Sequence, residues 1–135
     1  MTGNRSSDAQ AAGNAGDAAS FVFTVGEQDT VGAAIAGMPF VAATPYLVLI
    51  AETACYRLAL PLLDEGQITV GSRVMIEHLG PSKVGAELRV DARLTARDGR
   101  KFHFTAEIFD AGRLVARVEH SRAAVSREKL LSALA

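Results

Sequence analysis

The sequence predicts an α+β fold in which an antiparallel β-sheet wraps around one long, buried helix. The first observation is the segment Tyr46–Leu60, where only Glu52 and Arg57 are charged and apolar residues occupy every helical face. The second is a set of alternating segments C-terminal to it, separated by turn signals such as Asp98-Gly99. A helix that is apolar on all sides and too short to cross a bilayer has to be surrounded by protein.

Composition restricts the class of protein. The chain has 135 residues, of which 49% are hydrophobic and 21% charged, and its net charge is −1. This length fits one domain, which we place at residues 20–135 after a disordered tail of residues 1–19. The balanced charge gives no footprint for nucleic acid, and the single cysteine, Cys55, is typical of a reducing compartment. We therefore expect a cytoplasmic protein that binds neither nucleic acid nor membrane.

The N-terminal part of the domain contains shorter elements. Alternation over Phe21–Val25 predicts a strand. Asp29 or Thr30 could cap a short helix over Val31–Ala36, which Gly37-Met38-Pro39 would end. Thr44-Pro45 predicts the start of the long helix, with the threonine as N-cap and the proline at the first helical position.

The C-terminal half consists of strands. Alternation predicts strands over Gln67–Leu79, Ala86–Arg97, Lys101–Phe109 and a last strand from Leu114 through His120, before a short helix over Arg127–Leu134 that Ser126 caps. We read these four strands as an antiparallel meander with one polar face. Wrapping such a sheet around the apolar helix gives the hotdog architecture.

Glu52 is the first candidate functional residue. An ionised carboxylate among Ile50, Ala51 and Ala54 loses several kcal/mol of hydration unless something compensates for it. Arg57 is five residues away, which is poor spacing for a pair on one helical face. The sequence leaves two interpretations open, a structural ion pair or solvent opening on one side and a catalytic carboxylate on the other.

The histidines and the cysteine are further candidates. His78 continues the alternation of Ile68, Val70, Val74 and Ile76, so we expect its ring on the helix side of the sheet. His120 has the same inward orientation and competes for any role given to His78, whereas His103 is expected to face solvent. A lone histidine on an apolar face is often a hydrogen-bonded core residue, and Cys55 is expected to be a packed thiol.

Two backbone positions could assist chemistry on a carbonyl group. The N-terminus of the long helix offers unpaired N–H groups and the positive end of the helix dipole. Because Pro45 has no N–H, the donors would be Tyr46 and its neighbours. Gly71 permits a close backbone approach within a strand, or marks a bulge.

Four motifs together resemble one family. Thr44-Pro45-x-x-Val48, Ala51-Glu52-Thr53-Ala54-Cys55, Thr69-Val70-Gly71-Ser72 and His78-Leu79-x-Pro81-x-x-Val84-Gly85 resemble the fluoroacetyl-CoA thioesterase-like branch of the hotdog superfamily, over roughly Met38–Glu128. The resemblance implies Thr44, Glu52 and His78 as catalytic residues. It also implies that Gly71 is the strand glycine of that family.

The implied activity is hydrolysis of a short or small acyl-CoA thioester to the free acid and CoA. CoA is then part of the substrate, and no cofactor or metal is expected. Glu52 would be nucleophile or general base and His78 a proton shuttle, while the Thr44 helix terminus and Gly71 polarise and position the carbonyl. We assign Tyr46, Phe40 and His120, with Gly71, to substrate binding. The family's aromatic-rich lid corresponds here to a short stretch whose only aromatic residue is Phe40, so fluoroacetyl selectivity is not implied.

Helix geometry, together with the resemblance to hotdog proteins, predicts a site shared by two subunits. Eight residues of helix rise about 12 Å, so Thr44 and Glu52 of one chain do not easily contact the same substrate carbon. The resemblance to hotdog proteins, which pair their sheets into dimers, implies a homodimer or a higher oligomer built from it, and we therefore predict Thr44 of one subunit facing Glu52 of the other. Loop cations at Lys83, Arg97, Arg100 and Lys101 could contact the CoA nucleotide. The alternatives are a hotdog protein that binds acyl-CoA or another ligand without catalysis, and a hydratase, whose Asp–His spacing does not occur here.

Overall fold

The computed structural model describes residues 18–135, and its central features are a five-stranded antiparallel sheet and one long helix. The strands are β1 (Ala18–Thr24), β2 (Gln67–His78), β3 (Glu87–Asp98), β4 (Lys101–Asp110) and β5 (Arg113–Ser126). The helices are α1 (Val31–Ala34), α2 (Thr44–Ala59) and α3 (Arg127–Ala133), with single 3-10 turns at Glu27–Asp29 and Leu60–Leu62. β1 begins inside the tail predicted for residues 1–19, and the rest of that tail lies outside the described residues.

The strand order corrects the predicted meander. The order is β1-β3-β4-β5-β2, so only β3, β4 and β5 form a meander. β2 pairs with β5, with Val74 opposite His120, and β1 covers the free edge of β3. The segment from β2 to β3 crosses the sheet and pairs Lys83 with Val41 on the way. Alternation within a segment shows its two faces but not the strand it pairs with, so the strands could be predicted without their order.

The core lies between α2 and the inner face of the sheet. α2 buries one side against buried sheet residues, and the two sets are Leu47, Ile50, Ala54 and Leu58 on the helix and Leu88, Val90, Phe104 and Ile108 on the sheet. The other side of α2 is open in a single chain, where Leu49 is 57% exposed. The expectation that protein surrounds α2 completely is therefore not met within one subunit.

A bulge in β2 changes which residues face α2. Gly71 lies opposite Arg122 and Arg73 opposite Ser121, so Ser72 is an extra residue in the strand. Gly71 approaches Glu52 of α2, and His78, seven residues later, contacts Thr44 at the start of α2. Strict alternation does not allow positions 71 and 78 on the same side. The predicted common face of Ile68 and Val70 with His78 is therefore wrong, because the bulge shifts the alternation.

The helix ends agree with the predicted caps in two of three cases. Thr30 caps α1 by accepting from the Ala33 N–H, and Ser126 caps α3 by accepting from the Lys129 N–H, both at 3.2 Å. Ala43, not Thr44, is the N-cap of α2, and it has no side-chain cap bond. The Thr44 hydroxyl is used elsewhere. None of the helices in residues 18–135 is long and apolar enough to span a membrane.

Candidate active site

The predicted catalytic residues lie in two places within one chain. Thr44 and His78 form one pair, where α2 begins and β2 ends. Glu52 lies two helical turns further on, against Gly71 and β5, and we call Glu52, His120, Arg122 and Thr69 the carboxylate cluster. His78 lies seven positions after Gly71, a distance of about 23 Å along an extended strand. Glu52 and His78 of the same chain therefore do not meet.

The Thr44–His78 pair is held by one hydrogen bond. Thr44 Oγ1 lies 2.8 Å from His78 Nδ1, and both residues are exposed. When the hydroxyl donates, Nδ1 is the acceptor and Nε2 carries the ring proton. Large apolar side chains close to this pair in the chain are also exposed, namely Phe40, Leu79 and Val84. The pair therefore offers a polar imidazole on a partly apolar, open surface.

The partner of Glu52 is Arg122, not Arg57. Glu52 Oε2 lies 3.4 Å from Arg122 Nη1 and 3.7 Å from His120 Nε2. The Arg57 guanidinium instead lies over the rings of β1, 5.6 Å from the centroids of both Phe21 and Phe23. The Glu52 side chain is 35% exposed, so its carboxylate has one side on the cluster and one side open.

Arg122 is a functional candidate that the sequence analysis missed. Its Nε donates to Thr69 Oγ1 at 2.8 Å and its Nη2 to the Thr69 carbonyl at 2.9 Å, so one residue of β2 holds two edges of the guanidinium. Burial lowers the pKa of Arg122, and the Glu52 carboxylate opposes that shift. The sequence did contain a signal for Arg122: it lies two positions after His120, so alternation places both side chains on the same inward face of β5.

His120 is buried and has both ring nitrogens in use. Nδ1 lies 2.7 Å from the Arg73 carbonyl, which can only accept, so Nδ1 carries the proton. Nε2 lies 3.1 Å from Arg122 Nη1 and is then the acceptor. Burial, the largest effect, lowers the pKa of His120, and the nearby Arg122 lowers it further. The ring is 2% exposed, so the geometry gives no support to its predicted contact with substrate.

Gly71 makes the close approach between β2 and α2 possible. A Cβ at this position would overlap Glu52 Oε2 and lie 3.2 Å from His120 Cε1. Both interpretations of this glycine hold, because it is a point of close approach and also borders the bulge. Any side chain here would displace the carboxylate.

The remaining predicted residues have structural contacts. The Tyr46 N–H donates to the Ala43 carbonyl at 2.9 Å, so the predicted free donor at the helix start is wrong. The Tyr46 hydroxyl donates to the Thr24 carbonyl, and burial raises its pKa to about 12. Phe40 is 50% exposed, with its ring against Gly32 of α1.

Two further reactive side chains, Cys55 and His103, lie outside these contacts. Cys55 is buried, and burial raises its pKa to about 12, which agrees with a packed thiol. His103 is half-buried and bonds Ser121 Oγ at 2.9 Å, so it is less open to solvent than expected.

Comparison with known proteins gives one consistent result. Over residues 25–128 the chain matches the family described as fluoroacetyl-CoA-specific thioesterase. The fluoroacetyl-CoA thioesterase of Streptantibioticus cattleyicolor is 29% identical over 94 residues, which are 70% of this chain and 68% of that protein.

Solved structures agree with the sequence match. The structure of the fluoroacetyl-CoA thioesterase FlK has a TM-score of 0.83 at 25% identity, covering 91% of this chain and 96% of that one. An FlK variant in complex with fluoroacetate and CoA has a TM-score of 0.80 at 26% identity, with 87% and 98% covered. A hypothetical protein of the thioesterase superfamily from Thermus thermophilus has a TM-score of 0.79 at 26% identity, with 87% of each chain covered.

These matches confirm the hotdog fold and the family that the motifs resemble, and none of them favours the non-catalytic alternative. The family match spans both α2 and the strands that carry Thr44, Glu52 and His78. The chain belongs to the fluoroacetyl-CoA-specific thioesterase family and is a thioester hydrolase that acts on acyl-CoA.

Proposed function

We propose that the chain hydrolyses a short acyl-CoA thioester at a site shared by two subunits, with Thr44 and His78 from one subunit and Glu52 from the other. The observation that carries this proposal is the separation of the two places within one chain. Glu52 has an open side and His78 is exposed, and a carboxylate and an imidazole are complementary parts of a hydrolytic site. Within one chain, however, these two groups are too far apart to act on the same substrate.

The free edge of β2 supplies the geometry for such a dimer. β2 is the last strand in the order, and among the described residues its outer edge has no neighbouring strand. Antiparallel pairing of β2 with its copy, centred between Val74 and Met75, would place Gly71 of each chain opposite His78 of the other. Val74 and Met75 are 40% and 53% exposed in the single chain, as an uncovered interface would be. Two-fold symmetry then gives two equivalent sites.

Each side chain has a defined task in this site. Glu52 attacks the thioester carbonyl carbon, or removes a proton from the water that does so. The carbonyl electrons move onto oxygen and return as the carbon–sulfur bond breaks. The protonated ring of His78, with its Nδ1–H on Thr44 Oγ1, gives its Nε2 proton to the departing CoA thiolate and becomes neutral. Where Glu52 is the nucleophile, water then hydrolyses the acyl-Glu52 anhydride. In both routes the free acid leaves and the proton left on Glu52 passes to His78, which restores both groups. Thr44 holds His78 through Nδ1, which directs Nε2 toward the reaction. Gly71 lets the substrate carbonyl approach β2 closely.

The surroundings favour a small acyl group. The segment before α2 offers one aromatic side chain, Phe40, and exposed Ile35 and Met38, which provide apolar contact for a small group. The relatives act on fluoroacetyl-CoA, and an FlK variant binds fluoroacetate and CoA. We extend only the short acyl-CoA class to this chain. Lys83, whose backbone pairs with Val41 just before α2, is our first candidate for a CoA phosphate contact.

A thiol-release assay tests the activity. Acetyl, propionyl, isobutyryl, benzoyl and fluoroacetyl-CoA are compared at equal concentration, and we expect the short acyl groups to be cleaved fastest. Glu52→Gln and His78→Ala should each lower kcat by about 10²-fold or more with the fold intact. Glu107→Gln and His103→Ala are matched controls outside the site. Saturable binding with no thiol release would support the non-catalytic alternative instead.

Subunit mixing tests the shared site. A hybrid dimer of Glu52→Gln and His78→Ala subunits contains one site with both changes and one site with neither. Random reassociation should therefore restore about a quarter of wild-type activity from two inactive proteins. No recovery, with hybrids present, would contradict the shared site. Oxygen-18 incorporation into Glu52 in a single turnover distinguishes an acyl-Glu52 intermediate from direct attack by water. A cytoplasmic location and assembly beyond the dimer stay predictions.

A further inference from the structure

The carboxylate cluster contains a histidine for which the proposed reaction has no use. His120 is 2% exposed, and it contacts Arg122 at 3.1 Å but lies 3.7 Å from Glu52, beyond hydrogen-bonding distance. A buried imidazole between a fixed carbonyl and a guanidinium is an expensive arrangement unless its bonds direct something. What it can direct is Arg122, which also donates to Thr69 and to Glu52.

We propose that neutral His120 is a positioning residue for the catalytic carboxylate, acting through Arg122. This inference rests on the proposed role of Glu52. The Arg73 carbonyl fixes the Nδ1–H tautomer at 2.7 Å and so leaves a lone pair on Nε2. That lone pair accepts from Arg122 Nη1, the same nitrogen that donates to Glu52 at 3.4 Å.

Arg122 is suited to transmit this constraint. Thr69 holds the guanidinium along two other edges, so the plane of the group is fixed before it reaches Glu52. A planar guanidinium held in this way presents its remaining N–H groups in fixed directions. Glu52 is thereby held at one orientation beside Gly71, with its open side toward the substrate.

Protonation of His120 would break the arrangement. Nε2 would then carry a proton, lose its capacity to accept from Arg122, and place a second positive charge 3.1 Å from that guanidinium. The groups that face His120 are Glu52 from α2, Arg122 on β5, the Arg73 carbonyl from β2 and the Phe104 ring from β4, whose centroid lies 6.3 Å away. Among these groups of residues 18–135, Glu52 is the anion that could accept the new N–H. It would be drawn from its catalytic orientation.

Kinetics of His120 variants test the proposal. His120→Leu removes the acceptor, and kcat should fall by about ten- to a hundredfold with KM changed by less than about threefold. His120→Gln retains a side-chain acceptor and should recover much of that loss. In a plot of log kcat against pH, the acid side of the His120→Gln profile should show one ionisation fewer than that of the wild type, because the His120 imidazole is absent. The control is His103→Gln, which removes a histidine of β4 that bonds Ser121 and does not contact the carboxylate cluster. It should leave the pH profile of kcat unchanged. Identical profiles for wild type and His120→Gln would overturn the proposal.

Nitrogen NMR of the imidazoles provides a test that is independent of turnover. The sequence has three histidines, so the His120→Gln spectrum assigns the signal by its loss. We expect the Nδ1–H tautomer at neutral pH, and a lower pKa for His120 in Glu52→Gln, because the lost carboxylate favoured the protonated ring. An Nε2–H tautomer would overturn the inference while leaving the thioesterase intact. Absence of acyl-CoA cleavage by the wild type would instead overturn the proposed function. The tautomer of His120 would still show whether its Nε2 accepts from Arg122.

Discussion

The two halves of the proposed site are built by opposite means. The Thr44–His78 pair is exposed and depends on one hydrogen bond. The carboxylate cluster is held by four side-chain contacts of Arg122 and by the bond from His120 to Arg73. The Glu52 carboxylate is thus oriented by several neighbours, whereas the exposed pair has one mutual hydrogen bond to orient it. Changes in the cluster should therefore affect both activity and stability, and changes in the pair should affect activity alone.

Gly71→Ala should break the cluster most severely. The added methyl group would overlap Glu52 Oε2, and the β2 backbone cannot move away without disturbing its pairing with Arg122. We expect kcat to fall by about 10²-fold and the free energy of unfolding by about 1–3 kcal/mol. The measurements are thiol release and urea unfolding. Gly80→Ala is the matched control, because a Cβ there meets its nearest atom at 3.4 Å. Equal effects of the two substitutions would contradict the role of the close approach.

Arg122→Lys should separate charge from geometry in the same cluster. The lysine keeps a positive charge near Glu52 but cannot bond Thr69 along two edges while also reaching Glu52 and His120. We expect kcat to fall by about ten- to a hundredfold, more than KM changes, with a loss of about 1–3 kcal/mol in stability. The exposed Arg93→Lys is the control. Unchanged kcat in a less stable Arg122→Lys protein would mean that Arg122 is only structural.

Stability should depend on pH through His120. Burial lowers the pKa of the folded-state ring below its usual value, so the unfolded chain binds the proton first as the solution becomes acidic. The stabilisation is fully present above the unfolded-state pKa of about 6.5 and is lost as pH falls through the lower folded-state pKa. Wild type should lose up to about 1.4 kcal/mol per pH unit in that range from this group. The difference between wild type and His120→Gln in urea unfolding at pH 7 and pH 5 measures it, and an equal loss in both proteins would contradict the sign.

The same contrast explains how much of the site the sequence could predict. Local patterns mark Thr44, Glu52 and His78 as candidates, as a helix start, a charge on an apolar helix and a histidine in a strand motif, and the family resemblance implies their catalytic roles. The pairing of Glu52 with Arg122 depends on β2 lying beside β5 and on the extra residue Ser72. The bulge had one local signal, Gly71, which the sequence alone could equally attribute to a close backbone approach. The strand pairing leaves no local signal, because it is a contact between segments distant in the chain. The strand order was mispredicted for the same reason.

Thr44→Val should have the smallest effect, confined to activity. Valine keeps the shape of the side chain and removes the hydroxyl that lies 2.8 Å from His78 Nδ1, which frees the imidazole to rotate. Because both residues are exposed, we expect unfolding to change by less than about 0.5 kcal/mol, while kcat falls by about tenfold. Thr105→Val on β4, also exposed, is the control. A large loss of stability would show that the pair is already packed within one chain. If kcat were unaffected, the partner surface alone would orient His78, and the hydroxyl would have no part in holding the proton shuttle.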